Sequence, residues 1–205
     1  ATMKKTLLAL CLSVFIACPL LGDQPDKEYR LYLAFTTGGA FFSSPDSGGD
    51  YHILSLYDID NTYTIGFRLG YHIAHQWDLE TSFHYNPTHL RTQSSIFAPP
   101  GQQNFIYREW VHKLDVLSFN TNLNYYFVQK RVQPFLTAGM GGVTFSREAT
   151  SRTNLAVNLG GGVKFHLKKR FRISFDIKDL IIFNHYLFGE IRTNRVLTLA
   201  AEFLF

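Results

Sequence analysis

The sequence predicts an all-β protein: a closed, antiparallel, up-and-down transmembrane β-barrel of eight strands, with short turns at one end and longer loops at the other. Three observations carry that prediction. Apolar and polar residues alternate with period two through one segment after another, so each segment has one face without charge. The composition is rich in aromatics, with 19 Phe and 11 Tyr in 205 residues, while mean hydropathy is close to neutral. That balance is expected when one face of every strand meets lipid and the other a polar interior. Beyond the first segment of the chain, finally, no apolar run reaches the ~20 residues that a membrane-spanning helix needs.

That first segment has its own logic. Met3 is followed by Lys4 and Lys5, an apolar stretch from Leu7 to Ala17, then Pro19 and Gly22 ahead of Asp23, the layout of a secretory signal. Residues 1–22 are therefore expected to be a cleaved signal peptide and residues 23–205 the barrel domain. Leu20, three places before that cut, fits the small-residue rule incompletely. Phe15-Ile16-Ala17-Cys18 offers a second reading, a lipoprotein box with Cys18 acylated, although a leucine usually stands where Phe15 does. Both cysteines, Cys11 and Cys18, lie in this leader, so the exported domain has no disulfide framework and must draw its stability from burial or from a membrane. Taking Lys4 and Lys5 from the 20 basic residues leaves 18 against 16 acids, a balance that gives no support for nucleic-acid binding.

The strands follow in order. The first, near 29–41, points Leu31, Leu33 and Phe35 out and Arg30, Tyr32 and Thr36 in. The second alternates Tyr63, Ile65, Phe67, Leu69 and Tyr71 with Thr64, Gly66, Arg68, Gly70 and His72. In the third, Trp77, Leu79, Thr81, Phe83 and Tyr85 oppose Asp78, Glu80, Ser82, His84 and Asn86. The fourth, near 111–127, sets Leu117, Phe119, Leu123, Tyr125 and Phe127 against Ser118, Asn120, Asn122, Asn124 and Tyr126. The fifth, 133–146, is glycine-rich, which blurs its phase. The sixth sets Leu155 to Leu167 against Asn158, Gly160, Gly162, Lys164 and His166. Phe171, Ile173, Phe175 and Ile177 oppose Arg172, Ser174, Asp176 and Lys178 in the seventh. The last sets Leu197, Leu199, Ala201, Phe203 and Phe205 against Thr198, Ala200, Glu202 and Leu204. Tight links are expected at 74–76, 128–132 and 168–170, and longer loops at 43–61, 87–109, 147–153 and 180–194.

Alternation alone does not say which face is inside. The uncharged faces end in aromatics (Tyr63 and Tyr71, Trp77 and Tyr85), as the two girdles of a lipid-facing band do. The opposite faces carry Arg68, Asp78, Glu80, His84, Lys164, Arg172, Asp176, Lys178 and Glu202, which a dry soluble core would accept only at several kcal/mol for each unpaired charge. These nine residues are expected to form a polar network that fills the lumen.

The terminal strand Val196 to Phe205, the Gly139-Met140-Gly141-Gly142 and Gly160-Gly161-Gly162 strands, and Pro134-Phe135 together resemble the OmpA-like superfamily of small outer-membrane β-barrels. The resemblance covers nearly all of the exported chain. It implies the bacterial outer membrane as location, with outer-membrane lipid and lipopolysaccharide as surroundings. It also implies delivery by the barrel-assembly machinery through a terminal signal of Leu199, Phe203 and Phe205. Phe175-Asp176-Ile177-Lys178-Asp179 is similar to the close of the seventh strand in barrels that serve envelope-spanning machines. A wall-anchoring role is not implied, because the match is to the barrel alone.

Chemistry is sparsely signalled. Glu80, Ser82 and His84 put an acid, a nucleophile and a base on one face, yet alternate strand residues are ~6.6 Å apart, beyond the reach of a catalytic hydrogen bond. The eight histidines show no metal-ligand spacing, and His185 with Glu190 in the last loop has no serine nearby. No catalytic residue, metal or cofactor is expected. The leading function is a structural, docking or envelope-assembly role in which an envelope protein meets the outer loops or the periplasmic rim. The loop aromatics Tyr51, Tyr57, Phe97, Phe105, Tyr107, Trp110, Tyr186 and Phe188 would supply contact area. A lipid A or phospholipid-modifying enzyme and a narrow channel are the alternatives.

Overall fold

The computed structural model of the chain describes residues 30–43, 55–96, 106–147, 150–183 and 191–205. The expected signal peptide, Cys18 and the loop residues His185 and Glu190 lie outside them. Nine strand segments make one sheet: β1 (Leu31–Phe41), β2 (Ser55–Ile59), β3 (Thr62–Ala74), β4 (Trp77–Ile96), β5 (Ile106–Tyr126), β6 (Val132–Arg147), β7 (Thr150–Lys168), β8 (Phe171–Ile182) and β9 (Arg192–Leu204). Every pairing is antiparallel, and β9 pairs with β1 while β4 pairs with β5, so the sheet closes on itself. Because β2 and β3 both pair with β4, one beyond the other, they are two halves of a single barrel strand. The barrel is eight-stranded, as expected.

Closure is what a bilayer demands, since no water is available there for an unpaired N–H or C=O. The pleat then sorts side chains cleanly. In β8, residues 172, 174, 176, 178, 180 and 182 are buried, and in β1 the even positions 32, 34 and 36 are buried while 31, 33 and 35 are exposed. The glycine-rich β6 keeps a single phase, with Phe135, Thr137, Val143 and Phe145 inward and Leu136 and Met140 outward. Outward residues run from Tyr71 to Tyr63 and from Trp77 to Tyr85, spans that match the ~9–11 residues a membrane strand needs. Beyond that band come the first outward charges, Asp115, Asp179 and Arg195.

Two inward glycines are required by close neighbours, one by a side chain and one by backbone. The ring of Tyr32 occupies the place where a Cβ on Gly70 would stand, and Tyr32 and Gly70 are direct partners across β1 and β3. At Gly160 the obstacle is backbone instead: a Cβ there would run into the Ile177 carbonyl oxygen and stand 2.8 Å from Lys178 Cα, so β7 and β8 approach closely only through glycine. A barrel this narrow can hold so many long polar side chains only where neighbouring strands give up theirs.

The loop end departs from expectation. The segment 43–61 contains β2, and most of 87–109 is strand, with β4 reaching Ile96 and β5 beginning at Ile106. Similarly, β7 starts at Thr150 within the loop expected at 147–153. Pro87 and the Ser, Thr and Gln around it read as loop, yet the hairpin pairs in unbroken register from Trp77–Tyr125 to Ile96–Ile106. The Thr62 hydroxyl donates to the Pro87 carbonyl there. At the break between β2 and β3, Asp60 N donates to the His89 carbonyl (3.0 Å) and Phe42 N to the Asn61 side chain (3.0 Å). These bonds satisfy the interrupted ladder. The pairing of β5 with β6 begins only at Asp115, opposite Ser146. The stretch Ile106–Lys113, about 27 Å at ~3.4 Å per residue, therefore rises past the paired end of β6 as part of a three-stranded flange with Ser55–Asp58 of β2 and the end of β4, while Leu114 and Ile59 at its base turn inward.

Leu159, midway along β7, is 64% exposed on the lipid face. Leu159→Arg is expected to destabilise the vesicle-folded protein by about 2–4 kcal/mol in denaturant titrations. A change of only a few tenths would mean that this face does not meet hydrocarbon.

Candidate functional site: the barrel lumen

From the turn end to the loop end, the interior is built in three layers. The first is ionic. Eight buried side chains supply four positive and four negative charges: Arg68, Lys164, Arg172 and Lys178 against Asp78, Glu80, Asp176 and Glu202. Arg68 from β3 grips Asp176 from β8 with both nitrogens of its fork (2.7 and 3.1 Å), and it also donates to Thr198 from β9. Lys178 reaches across to Glu80 (3.1 Å). Arg172 pairs with Glu202 at 2.7 Å and Lys164 with the same carboxylate at 3.4 Å. Tyr32 donates to Glu80 (2.8 Å), accepts from Lys164 (3.1 Å) and lays its ring 4.3 Å from the Lys164 ammonium. At the turn end Asp78 is held by the Tyr126 hydroxyl and by His72. Each carboxylate thus has a cation or hydroxyl aimed at it, the condition under which burying charge is tolerable. The bidentate fork adds fixed geometry.

The second layer is neutral and polar. Ser82, His84, Ser118, Asn120, Asn122 and Asn158 line a small cavity next to Arg68 and Lys178. Its free space holds about one water-sized sphere, and the lining suits water. Ser82 donates to the Asn120 carbonyl (3.4 Å) and accepts from Asn122 (3.4 Å).

The third layer is apolar. Ile59, Leu90, Leu114, Val116, Val143, Phe145, Ala156, Leu180 and Ile182 pack into one cluster across the loop end of the lumen, with Phe42 and Val196 against it. Leu90, Leu114, Phe145, Ala156 and Ile182 have no exposed surface.

All nine residues of the expected polar network lie in the interior. Eight join the ion-pair web, and His84 sits apart in the neutral layer. The apolar layer was not foreseen. Its signal was present: Leu90 continues the inward phase of His84, Asn86 and Thr88, as Leu180 and Ile182 continue that of Asp176 and Lys178. These three positions fall in the stretches expected as loops, 87–109 and 180–194, which the structure shows to be strand as far as Ile96 and Ile182. Of the terminal residues expected to signal assembly, Leu199, Phe203 and Phe205 are 50, 53 and 68% exposed on the lipid face.

Outside the membrane band, charge is arranged as surface pairs. Arg91 meets Asp60 (2.7 Å) and Glu109 (3.4 Å), and the Asp60 carboxylate holds the Arg91 guanidinium above its ordinary pKa. Arg195 grips Asp179 at 2.7 and 3.0 Å.

A sheet closed through β9–β1, lipid-facing aromatics and a charged interior are the marks of an outer-membrane barrel, and the sequence matches the family model of the outer membrane protein beta-barrel domain over residues 7–203. The chain belongs to this family. Its place is the bacterial outer membrane. No curated protein matches it. Among solved structures it is similar to Neisserial surface protein A (15% identity, 85% of this chain and 97% of that one, TM-score 0.56). It is also similar to the outer membrane protein OprG from Pseudomonas aeruginosa (13% identity, 88% and 99%, TM-score 0.54). At these identities the likeness is one of fold.

Asp176→Ala, which takes the bidentate partner from the fully buried Arg68 and leaves it only Thr198 and a 3.8 Å contact with Glu80, is expected to lower unfolding stability by about 3–5 kcal/mol. Arg195→Ala removes a pair whose partners are 61 and 39% exposed and is expected to change it by about 0–1 kcal/mol. Denaturant titration of both variants in the same vesicles checks the contrast.

Proposed function

We propose that this family member is a sealed, non-enzymatic docking barrel that presents its loop-end flange to another component of the envelope. The observation that carries the reading is the filled lumen. A zero-sum ionic layer and an apolar layer lie one above the other across the same narrow bore, an arrangement that favours a scaffold over a diffusion channel. Glu80, Ser82 and His84 point into that interior, 1, 1 and 6% exposed. An acyl chain in the bilayer does not meet them, which weighs against a lipid-modifying enzyme.

The flange is the part built to be met. Trp110 and Val111 are 42 and 55% exposed on its opposite faces, and exposed aromatics are enriched at protein contacts. Of the other loop aromatics, Tyr57 and Tyr107 fall in its strands, and the structure describes their backbone alone; Tyr51, Phe97, Phe105, Tyr186 and Phe188 lie outside the described residues. Insertion by the barrel-assembly machinery through Leu199, Phe203 and Phe205 belongs to the same proposal.

A photo-crosslinking amino acid at Trp110 is expected to give a discrete protein adduct in native outer membranes, while the same group at lipid-facing Phe119 gives none. Planar bilayers containing the purified barrel are expected to show no stepwise conductance. Adducts at neither site, or regular conductance steps, would overturn the docking reading.

A further inference from the structure

The two ends of the barrel carry charge differently. At the loop end, exposed charges of both signs are tied to each other: Arg91 to Asp60 and Glu109, Lys113 to Asp115, Arg195 to Asp179. At the turn end, among the described residues, the charged side chains outside the lumen are all positive. They are Arg30, Lys130, Arg131, Lys168, Lys169 and Arg170.

Their placement is one-sided. The turn carrying Lys130 and Arg131 joins the end of β7, where His166 N donates to the Arg131 carbonyl (2.8 Å). The turn carrying Lys168, Lys169 and Arg170 joins β9, where Leu204 N donates to the Arg170 carbonyl (3.0 Å). Next comes β1, whose first residue pairs with Phe205, and beside it Arg30. The six cations therefore follow one another around the rim from β6 to β1. The remaining turn, Ala74 to Trp77, has no Lys or Arg.

Directly below the same arc, facing outward, lie Phe127, Phe165, Phe171, Phe203 and Phe205. Phe203 and Phe171 pack at 5.2 Å between ring centroids. Aromatic girdles mark the depth where acyl chains end and headgroups begin, and short turns mark the periplasmic side. The cations thus stand at the phosphate level of the inner leaflet, above rings that contact the chains of the same lipids.

We propose that this arc is a binding surface for anionic phospholipid of the inner leaflet, which it selects over zwitterionic lipid. A lipid fits better than an acidic protein because both halves of the molecule are matched: phosphate by cations, chains by phenyl rings. The selection is independent of any docking partner at the opposite end.

The test uses the purified barrel in phosphatidylcholine vesicles with spin-labelled phosphatidylglycerol or spin-labelled phosphatidylcholine, reading the motionally restricted fraction of each. One effective cation near an anionic headgroup is worth about a fivefold preference, so phosphatidylglycerol is expected to be favoured at least about fivefold. About 1 M salt, which cuts the screening length to ~3 Å, should remove most of the preference. The combined variant Arg131→Ser, Lys168→Ser, Lys169→Ser, Arg170→Ser should bind both lipids alike, with folding checked by heat-modifiable gel mobility. If that variant does not fold, salt titration of the native barrel still decides. Equal restriction of the two lipids by the native protein would overturn the proposal. So would loss of the preference in inorganic phosphate but not in chloride of equal ionic strength, which would assign the arc to free anions. Because no protein partner is present, failure here leaves the crosslinking result at Trp110 untouched.

Discussion

Everything in this structure follows from the absence of water around the backbone. A sheet with an open edge would leave a row of N–H and C=O groups in hydrocarbon, so the chain must return to its start, and the pairing of Tyr32 with Leu204 through Phe41 with Arg195 is that return. Closure at eight strands fixes a bore so narrow that inward side chains must meet. Once they meet they must be compatible, and the four-against-four ionic layer is the outcome. Even an inward glycine belongs to this constraint, since Gly70 gives up the volume that the Tyr32 ring takes.

The interior is also graded along its axis. Near the turns it is ionic, in the middle carboxamide and hydroxyl, and near the loops apolar. Where the ionic layer borders the neutral one, Arg68, Asp176, Glu80 and Lys178 are each met by an opposite charge, so the ions that face the polar cavity are paired. Toward the loops, Leu90, Leu114 and Ile182 close the bore the way an ordinary soluble core would. One strand period serves both chemistries.

Much of this was legible in the amino-acid order. Alternation gave the strand faces, the aromatic ends gave the girdles, and the charges opposite them marked the lumen, because all three depend on a period of two that local sequence displays directly. The loop end was harder to read. Pro87, Ser94, Ser95 and Gln93 have the composition of a connection, and only pairing with a distant strand makes that stretch extended. Which ions pair with which was beyond reach for the same reason. Asp78 and Glu80 lie on one strand face and share Lys164 at 3.9 Å, yet their nearest partners differ, Tyr126 and His72 for Asp78 and Lys178 and Tyr32 for Glu80, as the curve of the barrel dictates. The apolar layer is masked for two reasons: Leu90, Leu180 and Ile182 lie past the expected strand ends, and Leu114, Val116, Val143, Phe145 and Ala156 lie in segments that carry apolar residues on both faces, so alternation does not mark them as inward.

The pairing of Arg68 with Asp176 joins residues 108 apart, and that of Lys164 with Tyr32 joins residues 132 apart. No single hairpin contains both halves of either pair. A barrel threaded into the bilayer one hairpin at a time would carry bare charge into the hydrocarbon at each stage, with relief only at the end. Such a chain has every reason to enter as one object, its strands gathered before they cross. The same long-range coupling ties its evolution together: a change at any member of the web is felt on the far wall, so its sites are expected to drift in company.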